Sequence, residues 1–216
     1  VTVPSKRFKE LMAHPSGPKD RSEAEILGYR EALSKIHTKP ESFSIDEKTI
    51  LGLHRQIYSR TDIPAGQWKK RDNSIEERLS DGRWITRFVP VSARETPGYI
   101  KELCTRFNRL MDKRRTSPLI LIPAFVFDFL CIHPFSDGNG RVSRLLTVLM
   151  LHQADYTIGR YISIERLIEE SKETYYESLQ LSSKGWHEGK HSLKPWWEYS
   201  LGVLIGAYQE FERRVG

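Results

Sequence analysis

The chain has 216 residues, 38% hydrophobic and 29% charged, the balance of a folded globular protein, which excludes a disordered or fibrous one. At this length roughly 70% of the unfolded surface is buried on folding, so a core forms without staples, and two cysteines, Cys104 and Cys131, make no disulfide framework. Lys+Arg of 34 against Asp+Glu of 28 gives +6, a charge that tolerates nucleic acid or phosphorylated ligands and demands neither.

The elements follow in chain order. Val1 to His14 holds no apolar run of the signal-peptide kind, and Ser5 to Ala13 is a short, weakly helical piece. His14-Pro15-Ser16-Gly17-Pro18 is a breaker cluster. Ser22 with Glu25 reads as a capping box opening a helix that buries Ile26, Tyr29, Ala32, Leu33 and Ile36. Ser44 or Asp46 opens a second, with Ile50, Leu53, His54 and Ile57 on one face. Between Ile63 and Pro90 the turn signals multiply. Ser74–Leu79 and Trp84–Val89 flank Asp81-Gly82 and read as a small β-hairpin with exposed edges. Thr96 to Met111 is a helix with Ile100, Leu103, Cys104, Phe107 and Leu110 inward. Pro118 to Ile132 is apolar nearly all round. It is too short to span a bilayer and reads as the central buried helix. Helices are expected over Arg141–Ala154, Ile164–Ser182 and Lys194–Arg213, the last with Trp196, Trp197 and Tyr199 on one face. The fold class is all-α with one hairpin. A cytoplasmic protein without membrane association is expected.

The run His133-Pro134-Phe135-Ser136-Asp137-Gly138-Asn139-Gly140-Arg141-Val142-Ser143-Arg144 stands apart from its surroundings. Gly138 and Gly140 permit positive φ and close backbone approach. Successive amides there form an anion-binding nest, placed on a helix N-terminus with its positive dipole end. Arg141 and Arg144 share a helix face and can fork onto phosphate oxygens. Asp137 supplies one carboxylate; one carboxylate with phosphates and waters is a common way to hold Mg²⁺. His133 supplies a group suited to general-base work. A Gly-Asn-Gly turn alone is ordinary, but about eight specified positions in one short run are not. The residues by themselves point to a phosphate-binding turn.

His133 to Arg144 resembles the signature of the Fic family, H-P-F-x-[DE]-G-N-G-R-x-x-R, with every specified position matched. Tyr175-Tyr176-Glu177-Ser178-Leu179 resembles the family's Tyr-Tyr helix, and the hairpin at Asn73–Phe88 its flap. The resemblance covers residues 20–216 as a Fic-type helical bundle. It leaves 1–19 as an N-terminal extension. The resemblance implies transfer of AMP from ATP to a Tyr, Thr or Ser hydroxyl of a target protein. His133 would be the base and Asp137 would hold Mg²⁺. Gly138, Asn139, Gly140, Arg141, Val142, Ser143 and Arg144 would bind the phosphates, the Asn139 side chain among them and the arginines on the outer ones. Phe135 would anchor the loop in the core. Tyr176, with Tyr175, would face the adenine or pack in the core. Asn73, Ser74 and Ile75 of the hairpin would pair with the target segment. Expected partners are therefore ATP and a hydroxyl-bearing protein, self-modification included, with nucleic acid disfavoured. Relatives of this kind often carry an inhibitory helix, [ST]-x-x-x-E-[GN], whose Glu pairs with the second motif arginine. No span here matches it, and the expectation is that it lies upstream of Val1.

The sequence leaves other readings open. The turn could bind a phosphate group without catalysis, or transfer another one (UMP, GMP, phosphate, phosphocholine). His187-Glu188-Gly189-Lys190-His191 matches H-E-x-x-H, a zinc-hydrolase pattern, but Gly185 and Gly189 weaken the helix that zinc ligation needs. A solvent loop is the expectation there. Lys69-Lys70-Arg71 and Lys113-Arg114-Arg115 read as solvated basic faces, and Cys131 as a packing residue rather than a nucleophile.

Overall fold

A computed structural model describes Pro18, residues 20–79 and residues 81–216. The expected extension over 1–19, with its helix at Ser5 to Ala13, lies outside the described residues apart from Pro18. The chain divides between Gln67 and Trp68 into two compact units.

In the first unit, α1 (Arg21–Thr38) is followed by a 3₁₀ turn (Pro40–Ser42) and α2 (Glu47–Ile57). The cap of α1 is Asp20, whose carboxylate accepts from the Glu23 amide at 2.9 Å. The expected box at Ser22 is thus displaced by a better acceptor two residues earlier. Its Glu25 points inward instead and pairs with Arg21. Ala32 and Ile36 are buried as the spacing predicts, while Leu27 and Gly28 take the inner face in place of Ile26 and Tyr29. The reason is a close helix crossing. A Cβ on Gly28 would lie 2.3 Å from the Ile57 carbonyl oxygen and 2.5 Å from that of Gln56. Only glycine admits that approach. Asp46 caps α2 through the Thr49 amide, and Ile50, Leu53, His54 and Ile57 are all buried.

The second unit opens with β1 (Ile75–Arg78) and β2 (Trp84–Phe88), antiparallel, with Glu76 opposite Thr86 and Arg78 opposite Trp84. Gly82, at φ 86°, makes the turn. This is the one sheet among the described residues. Then come α3 (Thr96–Lys113), α4 (Pro118–Ile132), α5 (Asn139–Gln153), a 3₁₀ turn (Thr157–Arg160), α6 (Ile164–Glu170), α7 (Lys172–Ser183) and α8 (Lys194–Val215). The single helix expected over Ile164–Ser182 is two, broken at Ser171, whose hydroxyl meets that of Tyr199 at 2.9 Å. On α3, Ile100, Cys104 and Phe107 are buried, whereas Leu110 is exposed beyond the packed face.

α4 is the centre of this unit. Phe125, Phe127, Phe129, Leu130 and Ile132 are buried, and α3, α5 and α8 pack round it. Burial on this scale is the dominant stabilising contribution, about 2 kcal/mol for each large apolar side chain. The tryptophans of α8 fix its register. Trp196 donates its indole N–H to the Pro123 carbonyl at 2.8 Å, and Trp197 to that of Ile120 at 3.0 Å. No helix among the described residues is long and apolar enough to cross a membrane.

Candidate active site

The turn between α4 and α5 is built by two left-handed residues. His133 ends α4 at φ 51°, its amide donating to the Phe129 carbonyl at 2.9 Å. Gly138 opens α5 at φ 87°. A side chain at φ > 0 is strained, so His133 holds a conformation that its surroundings must enforce. Between these residues Phe135 is fully buried and stacks near Trp68 and Phe129. It is the anchor of the loop.

The Asn139 side chain is engaged within the loop. Its Oδ1 accepts from the Phe135 amide at 2.9 Å, and its Nδ2 donates to the Phe135 carbonyl at 2.7 Å. Both ends of the amide are engaged and the residue is buried. It ties the loop together. Val142 and Ser143 likewise turn inward; the Ser143 hydroxyl donates to the Gly140 carbonyl at 2.9 Å, and the Val142 amide to that of Gly138 at 2.9 Å. At the start of α5 the first-turn amides of Asn139 and Gly140 have no intrahelical acceptor. An anion is favoured there by both donors and dipole.

Charge surrounds this amide cradle. Asp137 is half-exposed, and its Oδ1 accepts from the Gly138 amide at 2.6 Å and from Arg141 Nη2 at 3.1 Å. Arg144 makes no ion pair among the described residues. Its guanidinium lies 3.5 Å from the place a Cβ on Gly140 would take, above the first turn of α5. It also borders an apolar cleft together with Tyr175, Tyr199 and Trp196.

The His133 imidazole is held by one ring nitrogen. Its Nδ1–H donates to the Leu130 carbonyl at 3.3 Å, which leaves Nε2 with the lone pair. Burial, with the neighbouring Lys69 ammonium, holds its pKa down at about 4, against the pull of the Leu130 carbonyl and Asp137. The imidazole is therefore neutral near pH 7.

Lys69 was not legible as a site residue. Read as part of a solvated basic run, it is only 4% exposed. Its amide donates to the Pro134 carbonyl at 2.8 Å, and its Nζ to Asn73 Oδ1 at 2.8 Å and the Ile132 carbonyl at 3.2 Å. Burial pulls its pKa to about 8. Asn73 in turn donates to the Phe135 carbonyl at 3.4 Å. Lys69 and Asn73 thus clamp the motif turn. Ser74 is exposed, its hydroxyl on Glu76, and Ile75 begins β1.

Tyr175 and Tyr176 part company. Tyr175 is buried against Trp196 and Tyr199, and burial pushes its hydroxyl well up, with Arg144 opposing. Tyr176 is 65% exposed. Cys131 is buried, its thiol likewise pushed up by burial, which makes it a poor nucleophile. The H-E-x-x-H span is a run of turns with Gly185 at φ 74° and Gly189 at φ 65°, not a helix. His187 bonds the Val89 carbonyl, and His191 stacks on Phe127. The two rings engage different elements, and no group of three metal-ligating side chains forms among the described residues.

The model of the Fic/DOC family matches residues 44–151. The chain belongs to that family. Among curated relatives, the protein adenylyltransferase Fic of Drosophila sechellia is 28% identical over 166 residues, 74% of this chain and 30% of that protein. The Drosophila persimilis protein of the same name is 29% identical over the same span. The chain thus spans about 30% of the length of the curated relatives it matches. The fold is shared with solved Fic structures. A Fic domain containing signaling protein from Bacteroides thetaiotaomicron has a TM-score of 0.77 at 24% identity, covering 95% of this chain and 78% of the other. A Fic family protein from Desulfovibrio desulfuricans reaches 0.79 at 20%, covering 99% and 60%. The family's all-α bundle with a two-stranded hairpin is the architecture described above.

Proposed function

We propose that this chain transfers AMP from ATP to a hydroxyl side chain of a protein, with His133 as the general base. The observation that carries the reading is the placement of His133. A neutral imidazole with Nε2 unprotonated stands on the turn whose other end, at Asn139 and Gly140, offers two unpaired amides to an anion. The Drosophila relatives are named protein adenylyltransferases, which supports the choice of group.

In this reading the phosphate chain lies over the start of α5. The Asn139 and Gly140 amides bind the α-phosphate and stabilise charge that develops there. Arg144 takes the outer phosphates. Arg141, held by Asp137, adds positive charge beside them. His133 Nε2 accepts the proton of the incoming hydroxyl. That oxygen then bonds to the α-phosphorus as the bond to the bridging oxygen breaks, and pyrophosphate leaves. Asp137 fits a Mg²⁺ ion: it is a lone, half-exposed carboxylate beside the cradle, and a hard cation with few protein ligands completes its shell from phosphates and water. When bound, the ion would neutralise phosphate charge. Tyr176 would lie toward the base of the nucleotide. The target segment would add to the hairpin edge from Ser74 and Ile75 onward.

Incubation with each α-³²P-labelled nucleoside triphosphate and Mg²⁺ tests this. Label from ATP should enter protein, the chain itself included. Label from UTP or GTP alone would replace adenylyl with another nucleotidyl group.

A further inference from the structure

The loop after α7 carries a motif that the site does not use, and its turns set two rings against the base of the hairpin. His187 Nε2–H donates to the Val89 carbonyl at 2.8 Å, just past the end of β2. Its imidazole stacks on Phe88, with centroids 5.5 Å apart and planes 11° from parallel. Trp186 meets Phe88 edge-on at 6.1 Å. On its other side the Trp186 indole N–H donates to Asp128 Oδ1 of α4 at 2.8 Å, and its ring lies 6.3 Å from Tyr99 of α3. β2 is therefore tied through two adjacent residues to the helical bundle. β1 is tied at its own base through Lys69 and Asn73 to the motif turn. A two-stranded ribbon is marginal alone, so its pose comes from such ties. His187 is exposed and packs no core, so the bundle itself does not depend on it.

We propose that Trp186 and His187 form a clasp that sets the pose of the hairpin for an incoming protein strand, which makes them positioning residues for acceptor recognition. This rests on the reading that a protein segment pairs with the hairpin edge. Strand addition needs the edge amides and carbonyls held in register; a loose hairpin must be ordered at the moment of binding, which weakens the acceptor and leaves the nucleotide untouched.

Two measurements on the intact chain decide it. In hydrogen exchange, His187→Ala should speed exchange over residues 75–88 roughly tenfold, the value of one hydrogen bond with its ring stack. Exchange in α4 and α5 should not change, and His187→Gln, whose amide still donates to Val89, should restore part of the protection. Unchanged exchange in the hairpin, or a rise spread over the whole chain, overturns the clasp. In transfer, labelled ATP is supplied with the inactive His133→Ala chain as acceptor at varied concentration. His187→Ala should raise the half-saturating acceptor concentration roughly tenfold, with maximal rate and ATP affinity kept. A lower maximal rate at unchanged half-saturation overturns the positioning role. If the native chain labels nothing with any nucleotide, the transfer reading fails, and hydrogen exchange still decides the clasp.

Discussion

His133 sits at a left-handed position with one ring nitrogen fixed on a carbonyl, and its low pKa follows from burial and from Lys69. A base whose pKa is about 4 keeps its lone pair at every pH above that value. The transfer rate should therefore hold level down to about pH 5 and fall only as pH drops through 4, whereas an ordinary imidazole would give an acid limb near 6.5. A pH profile of the labelling rate distinguishes the two. Asn139→Ala removes both of its bonds to the buried Phe135 backbone. It should cost about 2–3 kcal/mol of stability, read by thermal or denaturant unfolding, as well as nucleotide binding. Arg144→Ala should differ: stability is kept, and ATP affinity falls more than ADP affinity, measured by calorimetry, because only ATP offers the outermost phosphate. The motif run was legible in the sequence because its residue types are chemically specific. The engagement of Asn139 and the burial of Lys69 were not, since both depend on which backbone groups the loop leaves unpaired, and composition carries no trace of that.

At the scale of elements, periodicity located the long amphipathic helices and the hairpin. It failed where a single contact outweighs the pattern. Asp20 capped α1 ahead of Ser22, and Ser171 split a helix whose apolar spacing runs on without a break. Gly28 is the clearest case. A glycine inside a helix reads as a mild liability, yet here it permits α1 to cross α2 with a Cβ position 2.3 Å from a carbonyl oxygen. Gly28→Ala should therefore destabilise by about 1–3 kcal/mol rather than stabilise, as overpacking does. A lowered unfolding midpoint checks the sign.

For the whole molecule, family and fold converge. A helical second unit holds a buried α4 at its centre and presents, at the end of that helix, a turn in which an imidazole, a helix N-terminus, a carboxylate and two arginines meet. What the turn acts on was not legible from residues alone, because a cradle for phosphate is blind to the group it carries. In the proposed transfer the imidazole of His133 acts on the incoming hydroxyl and not on the nucleotide. The direct measurement compares His133→Ala with the native chain, label from α-³²P ATP against ATP affinity. The expected result is a rate loss of about 10²–10⁴ with affinity within a factor of about two. Undiminished labelling in the variant, or an equal loss of ATP binding, would contradict it.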